Sequence, residues 1–137
     1  MKFSMPLKVK VSSKKFFILN LNNYRNAHHR VLSTAKRNYQ DIFMGLDLPY
    51  RKYEQIKLHY KIYPASNRKF DLMNVICVHD KFLCDAIVKR GMLPDDNIKH
   101  MPYMPEAKVM PVDRLNPRIE IRIESFGSIY KGRLNHL

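Results

Sequence analysis

Apolar residues recur at helical spacing between Asp71 and Gly91. Winding this stretch at about 100° per residue gathers its apolar side chains on one broad face. That face consists of Leu72, Val75, Ile76, His79, Phe82, Leu83, Ala86 and Ile87. Asp71 precedes the run where an N-cap carboxylate belongs, and Gly91 follows it where a C-terminal glycine belongs. The pattern therefore predicts a long helix over residues 71–90 that packs against the core.

A second apolar-periodic stretch runs from Val31 to Leu46 and predicts an amphipathic helix. Strict alternation of apolar and polar residues predicts strands at residues 53–64 and 118–124. Their inward residues are Ile56, Leu58, Tyr60, Ile62, Ile119, Ile121 and Ile123. Such alternation is typical of antiparallel strands that bury one face and expose the other.

Two further strand signals, one strong and one weak, complete the pattern. The apolar run at residues 16–21 predicts a buried strand, and residues 107–112 predict a weak strand. Pro111 lacks an N–H, which moves the second of these to a sheet edge. Together the elements predict an α+β fold: a mixed, mainly antiparallel sheet of four or five strands. We expect the two main helices, near residues 31–46 and 71–90, to pack on one face of it.

The net charge of the chain indicates the class of partner that it binds. The chain has 25 lysines and arginines against 12 aspartates and glutamates, a net charge of +13. This excess favours a polyanionic partner, and composition alone does not separate an enzyme from a module that binds RNA or ribosomes without chemistry. No apolar run approaches the roughly 20 residues that span a bilayer, so we expect no membrane association and a cytoplasmic location. We expect one domain over residues 1–137, with a frayed basic tail at residues 127–137.

The two cysteines, Cys77 and Cys84, fall on the same predicted helix. Their separation of two helical turns is too long for a disulfide. No CxxC pair or clustered histidine accompanies them, so zinc is not indicated. We expect two reduced thiols and no small-molecule cofactor.

Acidic residues are the unusual feature of so basic a chain. Asp71 begins the long predicted helix, and the pair Asp95 and Asp96 follows Pro94 in a turn that is able to fold back toward Asp71. Neighbouring carboxylates repel one another unless a cation lies between them. Hard oxygen ligands select Mg²⁺ or Mn²⁺. The pattern predicts a metal site formed by Asp71, Asp95 and Asp96.

A polar stripe adjoins the apolar face of the same helix. Its members are Asp71, Asn74, Val78, Lys81, Asp85 and Lys89. Lys81 and Asp85 are an i, i+4 pair, which favours a solvated ion pair at the helix edge. Asp80 falls on the other side of the apolar face, so the helical wheel separates it from the predicted metal ligands.

Three segments carry a resemblance to a known family. They are DLMN (Asp71–Asn74), DKFLCDAIVKRG (Asp80–Gly91) and PDDN (Pro94–Asn97). These segments resemble the core of the RusA-like Holliday-junction resolvases of bacteria and their phages. That family has an Asp-x-Asp-Asn helix start, a lysine, an Asp-Ala-Leu step, a glycine and an Asp-Asp pair. The spacing from Asp85 to Asp96 matches without a gap, and one extra helical turn precedes Lys81.

The resemblance implies a Mg²⁺-dependent endonuclease, with Mn²⁺ as a possible substitute, that cuts four-way or other branched DNA junctions as a homodimer. It implies catalytic roles for Asp71, Asp96 and Lys81. The implied metal ligands are Asp71, Asp96, Asp95 and Asn74. Met73 stands where the family has its second aspartate. One ligand must therefore come from Asn74, Asp95, water or the phosphate, and the extra turn leaves the role of Lys81 open.

Residues 22–30 interleave amides, an aromatic ring and cations. Amides alone favour turn chemistry, whereas the mixture also suits phosphate contacts and base stacking, as the resemblance implies for a loop after the first strand. The predicted DNA-binding residues are Asn22, Asn23, Tyr24, Arg25, Arg30, Arg68 and Lys69. Three functions remain open: a junction endonuclease, a non-cleaving structural binder of branched DNA, and a basic nucleic-acid-binding module without catalysis.

Overall fold

The computed structural model of the protein describes residues 1–132. Its elements in chain order are strands β1 (Lys2–Met5), β2 (Lys8–Lys10) and β3 (Phe16–Ile18), helices α1 (Leu21–Asn26) and α2 (His29–Met44), strand β4 (Lys52–Tyr63), helix α3 (Leu72–Lys89), and strands β5 (Glu106–Val109) and β6 (Arg118–Tyr130). None of the helices in this part of the chain has the length and apolar character needed to cross a bilayer.

Four strands form one mixed sheet in the order β1-β6-β4-β5. Strand β6 is antiparallel to both β1 and β4, while β5 runs parallel to β4 at the sheet edge. Strands β2 and β3 form a separate antiparallel hairpin. The predicted α+β fold with a mixed, mainly antiparallel sheet is confirmed, and so is the edge position of the weak strand.

The core lies between this sheet and the two long helices. Side chains of a strand point alternately to its two faces, so the inward residues of β4 and β6 form one apolar layer. The buried members of that layer are Ile56, Leu58, Tyr60, Ile62, Ile119, Ile121 and Ile123. Helix α2 contributes Ala35, Tyr39 and Phe43, and α3 contributes Ile76, Phe82, Leu83, Ala86 and Ile87.

Helix α3 begins and ends as its sequence predicts. The Asp71 carboxylate accepts a 3.0 Å hydrogen bond from the backbone N–H of Met73, which satisfies one of the unpaired donors of the first turn. Gly91 has a φ of +83°, a conformation that glycine adopts without a Cβ penalty. The N–H of Gly91 reaches the carbonyl of Val88 at 2.9 Å, and that of Met92 reaches Ile87 at 3.1 Å. These two bonds form a Schellman motif that reverses the chain.

The predicted loop at residues 22–30 is instead largely helical. Helix α1 occupies Leu21–Asn26, and α2 already begins at His29. Asn20 caps α1, because its side-chain oxygen accepts a 2.8 Å hydrogen bond from the Asn23 N–H. An amide at this position initiates a helix as readily as it initiates a turn.

The predicted buried strand at residues 16–21 is shorter and only half buried. Strand β3 ends at Ile18, and only Phe17 faces the core, while Phe16 and Ile18 are exposed. A two-stranded hairpin covers the core with one face alone, so its alternate side chains meet solvent. Because nearly all residues of this segment are apolar, the sequence pattern did not show which side chains face solvent.

The predicted frayed tail at residues 127–137 is wrong for its first part. Strand β6 continues to Tyr130, and Ile129 pairs with Tyr53. Gly127, with a φ of +75°, and Ser128 together oppose Glu54, whose carboxylate accepts a 2.9 Å bond from the Ser128 N–H. Two residues opposite one form a β-bulge, and the pairing of β6 with β4 resumes beyond it. Residues 133–137 of the predicted tail lie outside the described residues.

Candidate functional site

A cleft of about 490 Å³ lies between α3 and the chain that returns after it. Its acidic side chains are Asp80, Asp85 and Asp96, and Lys81 lines it as well. The remaining wall is formed by Leu58, Cys77, Cys84, Met101, Tyr103, Met104 and Pro105. In a chain of net charge +13, this cleft therefore gathers carboxylates against an apolar wall.

Asp80 is held in place from the sheet. The hydroxyl of Tyr60, a buried residue of β4, donates a 2.6 Å hydrogen bond to Asp80 Oδ1. Burial raises the pKa of the Asp80 carboxyl, the Tyr60 hydroxyl and the Cys84 thiol oppose that rise, and the charge of Asp96 adds to it. Asp80 is thus a partly buried carboxylate with one fixed donor and a like charge nearby.

The reversal after α3 brings Asp96 to this cleft. Met92 and Leu93 are buried after the Schellman motif. The chain that follows runs beside α3, because Asp96 and Met101 line the same cleft as Asp80. The negative charge of Asp96 raises the pKa of both Asp80 and Cys84. For both groups burial is the larger cause of the raised pKa. Asp96 therefore lies near the middle of α3 and far from its first turn.

Asp95 has a structural task in the same turn. Its Oδ1 accepts a 2.8 Å hydrogen bond from the Asp96 N–H, and its Oδ2 accepts a 2.9 Å bond from the Asn97 side-chain amide. Asp95 does not line the cleft. The two adjacent aspartates thus have different roles: Asp95 orders the turn and Asp96 faces the cavity.

Cations and an aromatic ring border the acidic cleft. The Lys36 ammonium of α2 forms an ion pair with the Asp85 carboxylate at 2.5 Å. The Lys81 ammonium lies 5.7 Å from the ring centroid of Tyr24, a residue of α1. The Tyr24 ring in turn packs edge-on against Phe82 of α3, with centroids 6.4 Å apart. Lys81 therefore stands between an aromatic surface and the acidic cleft, and Asp85 is paired with Lys36 instead of with Lys81.

The structure does not bring Asp71 to Asp95 and Asp96 as predicted. Within residues 1–132, no three histidine, cysteine, aspartate or glutamate side chains converge in an arrangement for one metal ion. Asp71 is exposed, caps α3, and precedes Asp80 by nine helical steps, or about 13 Å along the axis. The chain reversal is too short to carry Asp96 back over the whole helix.

The other predicted ligand and the predicted cations near it also lie at that end of α3. Asn74 is exposed and does not line the cleft, and Arg68 and Lys69 are exposed in the segment before the helix. Met73 is 60% exposed there. Of the predicted catalytic residues, the cleft thus contains Asp96 and Lys81 but not Asp71.

Sequence reasoning missed Asp80, which the helical wheel set apart from the site. The wheel treated the apolar face as a boundary, but Val78 and Cys84 are buried too, so α3 is enclosed on more sides than one. A signal for Asp80 was available in Tyr60. A tyrosine at an inward strand position needs a partner for its hydroxyl, and a carboxylate on the packed helix supplies one.

Two carboxylates and an open cavity fit Mg²⁺ or Mn²⁺. Mg²⁺ keeps several waters and is commonly held by one or two carboxylates together with the phosphate of its substrate. Asp80 and Asp96 meet that requirement, and a cation between them would remove the repulsion from Asp96 that adds to the effect of burial on the pKa of Asp80. The thiol of Cys84, whose pKa is raised by burial, is a poor ligand for a hard cation.

A larger groove of about 600 Å³ lies on the outer face of the sheet, but its acids are already paired. Glu106 binds the Lys57 ammonium at 2.7 Å, and Glu120 binds the Arg118 guanidinium at 3.0 Å. The Lys57 ammonium also lowers the pKa of Glu106. With its carboxylates neutralised in this way, the groove offers no comparable cation site.

Comparison with known proteins adds no assignment. No protein-family model matches the chain, and no curated protein matches it significantly. The geometry of the cleft, the charge of the chain and the resemblance of the three sequence segments therefore remain as the indications of function.

Proposed function

We propose that this protein is a metal-dependent endonuclease of branched DNA, four-way junctions included, and that the cleft containing Asp80 and Asp96 is its catalytic centre. The observation that carries the proposal is the approach of these two carboxylates at one cavity of a strongly basic chain. The resemblance to the RusA-like resolvases supports the same activity. It also supports a homodimer, because cutting two strands symmetrically calls for two sites related by a two-fold axis. A cytoplasmic location is part of the same proposal.

Asp80 and Asp96 would hold the Mg²⁺ or Mn²⁺, whose chemistry there is to polarise the scissile phosphate and to favour ionisation of a bound water. Tyr60 keeps Asp80 in one orientation through its 2.6 Å hydrogen bond. That bond also favours the ionised carboxylate, which is the form that binds a cation. Leu58 and Met101 form part of the apolar wall beside the two carboxylates.

Lys81 is the residue best positioned to contact the phosphate. Its ammonium lines the cleft on the side of Tyr24 and α1. Helix α1 also contains the predicted DNA-binding residues Asn22, Asn23 and Arg25. A cation at this place attracts the DNA backbone and neutralises charge that develops on the phosphate during cleavage. Tyr24 offers a ring beside it for contact with an unpaired or distorted base.

A second candidate function is a non-cleaving binder of branched DNA. The observation that favours it is the small number of free acidic ligands. Asp85 is paired with Lys36, and no group of three ligands converges within residues 1–132. Such a protein would bind junctions through the same cationic surface and leave them intact.

Cleavage of a synthetic four-way DNA junction tests the proposal. Purified protein is incubated with labelled junction in Mg²⁺, in Mn²⁺ and in chelator, and binding is measured separately in chelator. We expect nicking with either metal, none in chelator, and binding in all conditions. Binding without nicking in both metals would favour the second candidate. Absence of binding to any nucleic acid would overturn both.

A further inference from the structure

The β2–β3 hairpin has one face in the core and one face in solvent. Val9 and Phe17 pair across the hairpin and are buried. The outer face consists of Lys8, Lys10, Phe16 and Ile18. Phe16 is 49% exposed and Ile18 is 54% exposed. Two large apolar side chains and two ammonium groups therefore share one small outward surface.

The lysines of this face are arranged around the ring of Phe16. The Lys8 ammonium lies 4.5 Å from the ring centroid and the Lys10 ammonium 5.9 Å from it. Both distances are within the range of cation–π attraction. The ring consequently sits in a local positive field and still exposes about half of its surface.

The hairpin is held in place on the rest of the molecule. The side-chain amide of Asn38, on α2, donates a 2.6 Å hydrogen bond to the backbone carbonyl of Lys10. At its tip, the N–H of Val11 reaches the carbonyl of Lys15 at 3.0 Å, and Ser12 Oγ accepts from the Lys15 N–H at 3.1 Å. Phe16 is thus presented on a fixed element, so binding through it would require little ordering of the chain.

All charged side chains among the first 40 residues are basic. Residues 1–40 contain nine lysines and arginines and no aspartate or glutamate. Lys14 and Lys15, at the hairpin tip, are both exposed. A polyanion complements the charge of this part of the chain, and an exposed ring between cations adds a stacking surface to it.

We propose that the outer face of the β2–β3 hairpin is a second nucleic-acid site that binds unpaired nucleotides, with Phe16 stacking on a base while Lys8 and Lys10 contact the flanking phosphates. Stacking on an aromatic ring is available only to bases that are not enclosed in a duplex, and it tolerates any sequence. The site is separate from the acidic cleft, because α2 contacts the hairpin through Asn38 and the cleft through Lys36. This inference rests on the proposed function in so far as the partner is DNA.

The test compares single-stranded and duplex DNA in chelator, where no cleavage occurs. Fluorescence anisotropy measures the affinity of wild type, Phe16→Ala, Phe16→Tyr and Ile18→Ala for labelled oligothymidylate and for a blunt duplex of equal length. We expect Phe16→Ala to weaken oligothymidylate binding by about 5- to 100-fold, as loss of one stacked base does, and to change duplex binding less than twofold. Phe16→Tyr retains the ring and should bind as wild type does.

Ile18→Ala is the matched control, since it removes an equally exposed apolar side chain from the same face without removing a ring. Equal losses for Phe16→Ala and Ile18→Ala, or no loss for Phe16→Ala in a protein that binds junctions, would overturn the hairpin site and leave the proposed function standing. Failure of the wild type to bind any DNA would overturn both. Wild-type binding to phosphatidylserine vesicles but not to oligothymidylate would also overturn the inference, because it would identify an anionic membrane as the partner.

Discussion

The hydroxyl of Tyr60 donates a 2.6 Å hydrogen bond to the carboxylate of Asp80 and thereby joins the last third of β4 to the middle of α3. Burial and the negative charge of Asp80 raise the pKa of the Tyr60 hydroxyl well above its usual value. A buried phenol that remains protonated is a permanent donor. The bond thus orients Asp80 toward the cleft that Asp96 also faces.

Tyr60→Phe should raise the pKa of Asp80, because the lost hydrogen bond favours the ionised carboxylate. The carboxyl resonance of Asp80, followed by NMR against pH, measures the change directly. We also expect a stability loss of about 2 kcal/mol, the usual size for a hydrogen bond to a charged group. Tyr63→Phe, on the outer face of the same strand, is the control and should leave the Asp80 titration unchanged. Identical titrations in both variants would show that the bond has no influence on Asp80.

Asp80→Asn and Asp96→Asn should abolish junction cleavage while junction binding stays equal or becomes tighter, since each change removes a carboxylate near the phosphate. Asp71→Ser is the matched control. Serine also caps a helix, so this variant keeps the start of α3 and should cleave at close to the wild-type rate. The cleavage rate of each variant over a Mg²⁺ titration decides between the two arrangements. Full activity of Asp80→Asn together with an inactive Asp71→Ser would contradict the cleft and would place the catalytic site at the first turn of α3.

The fold was largely predictable because periodicity reports burial. The alternation in β4 and β6 and the helical spacing in α2 and α3 each reflect one face turned to the core. The predictions were wrong where an element is buried on more than one side, or where a short polar segment is compatible with both a helix and a turn. Helix α3 is buried on more than its apolar stripe, and Asn20 initiated a helix where a turn was equally compatible with the amides.

The site was predictable only in part, because it depends on a long-range contact. Asp96 and Lys81 were singled out from the sequence, and both line the cleft. Asp80 was not, since its role depends on Tyr60, twenty residues earlier on a strand that local patterning does not connect to the helix. Asp71 was predicted as a metal ligand because it lies at the start of a helix. Its capping bond to the Met73 N–H accounts for an aspartate at that position without a metal.

Binding to DNA should weaken steeply with added salt. Each phosphate neutralised by a lysine or arginine releases counterions, giving a slope of about −0.9 per contact in a plot of log affinity against log salt on duplex DNA. The charge of +13 leads us to expect several contacts. Lys81→Met should reduce the magnitude of the slope by about one, whereas Lys52→Met, on an exposed residue at the start of β4, should reduce it less. An affinity that is flat between low and physiological salt would contradict nucleic acid as the partner.

Gly91→Ala should destabilise the protein by about 1–2 kcal/mol, because its φ of +83° is left-handed and costs that much for a residue with a Cβ. Nothing lies within 4 Å of the added methyl, so the penalty comes from the backbone alone. Gly91→Asn should cost less, since asparagine adopts this conformation more readily. Chemical denaturation of the three proteins checks the order. Equal stability of all three would mean that the Schellman turn relaxes without loss.

His79 should make the protein sensitive to acid. It is fully buried on α3, and neither ring nitrogen has a hydrogen-bond partner within the described structure. Burial lowers its pKa to about 3. An unfolded chain, with a histidine pKa near 6.5, therefore binds the proton first as the pH falls, and stability is lost between pH 6.5 and about 3.

The expected loss from this one group is about 1.4 kcal/mol per pH unit, or roughly 2 kcal/mol between pH 6.5 and pH 5. His79→Leu removes the titrating ring, so the difference in unfolding free energy between variant and wild type should grow in favour of the variant by that amount at pH 5. Asp80, whose raised pKa acts with the opposite sign at lower pH, is present in both proteins and cancels in the difference. Urea denaturation at pH 7.5, 6 and 5 measures the trend. A constant difference across these pH values would mean that His79 finds a proton acceptor or water in the folded core, and that its burial does not oppose protonation.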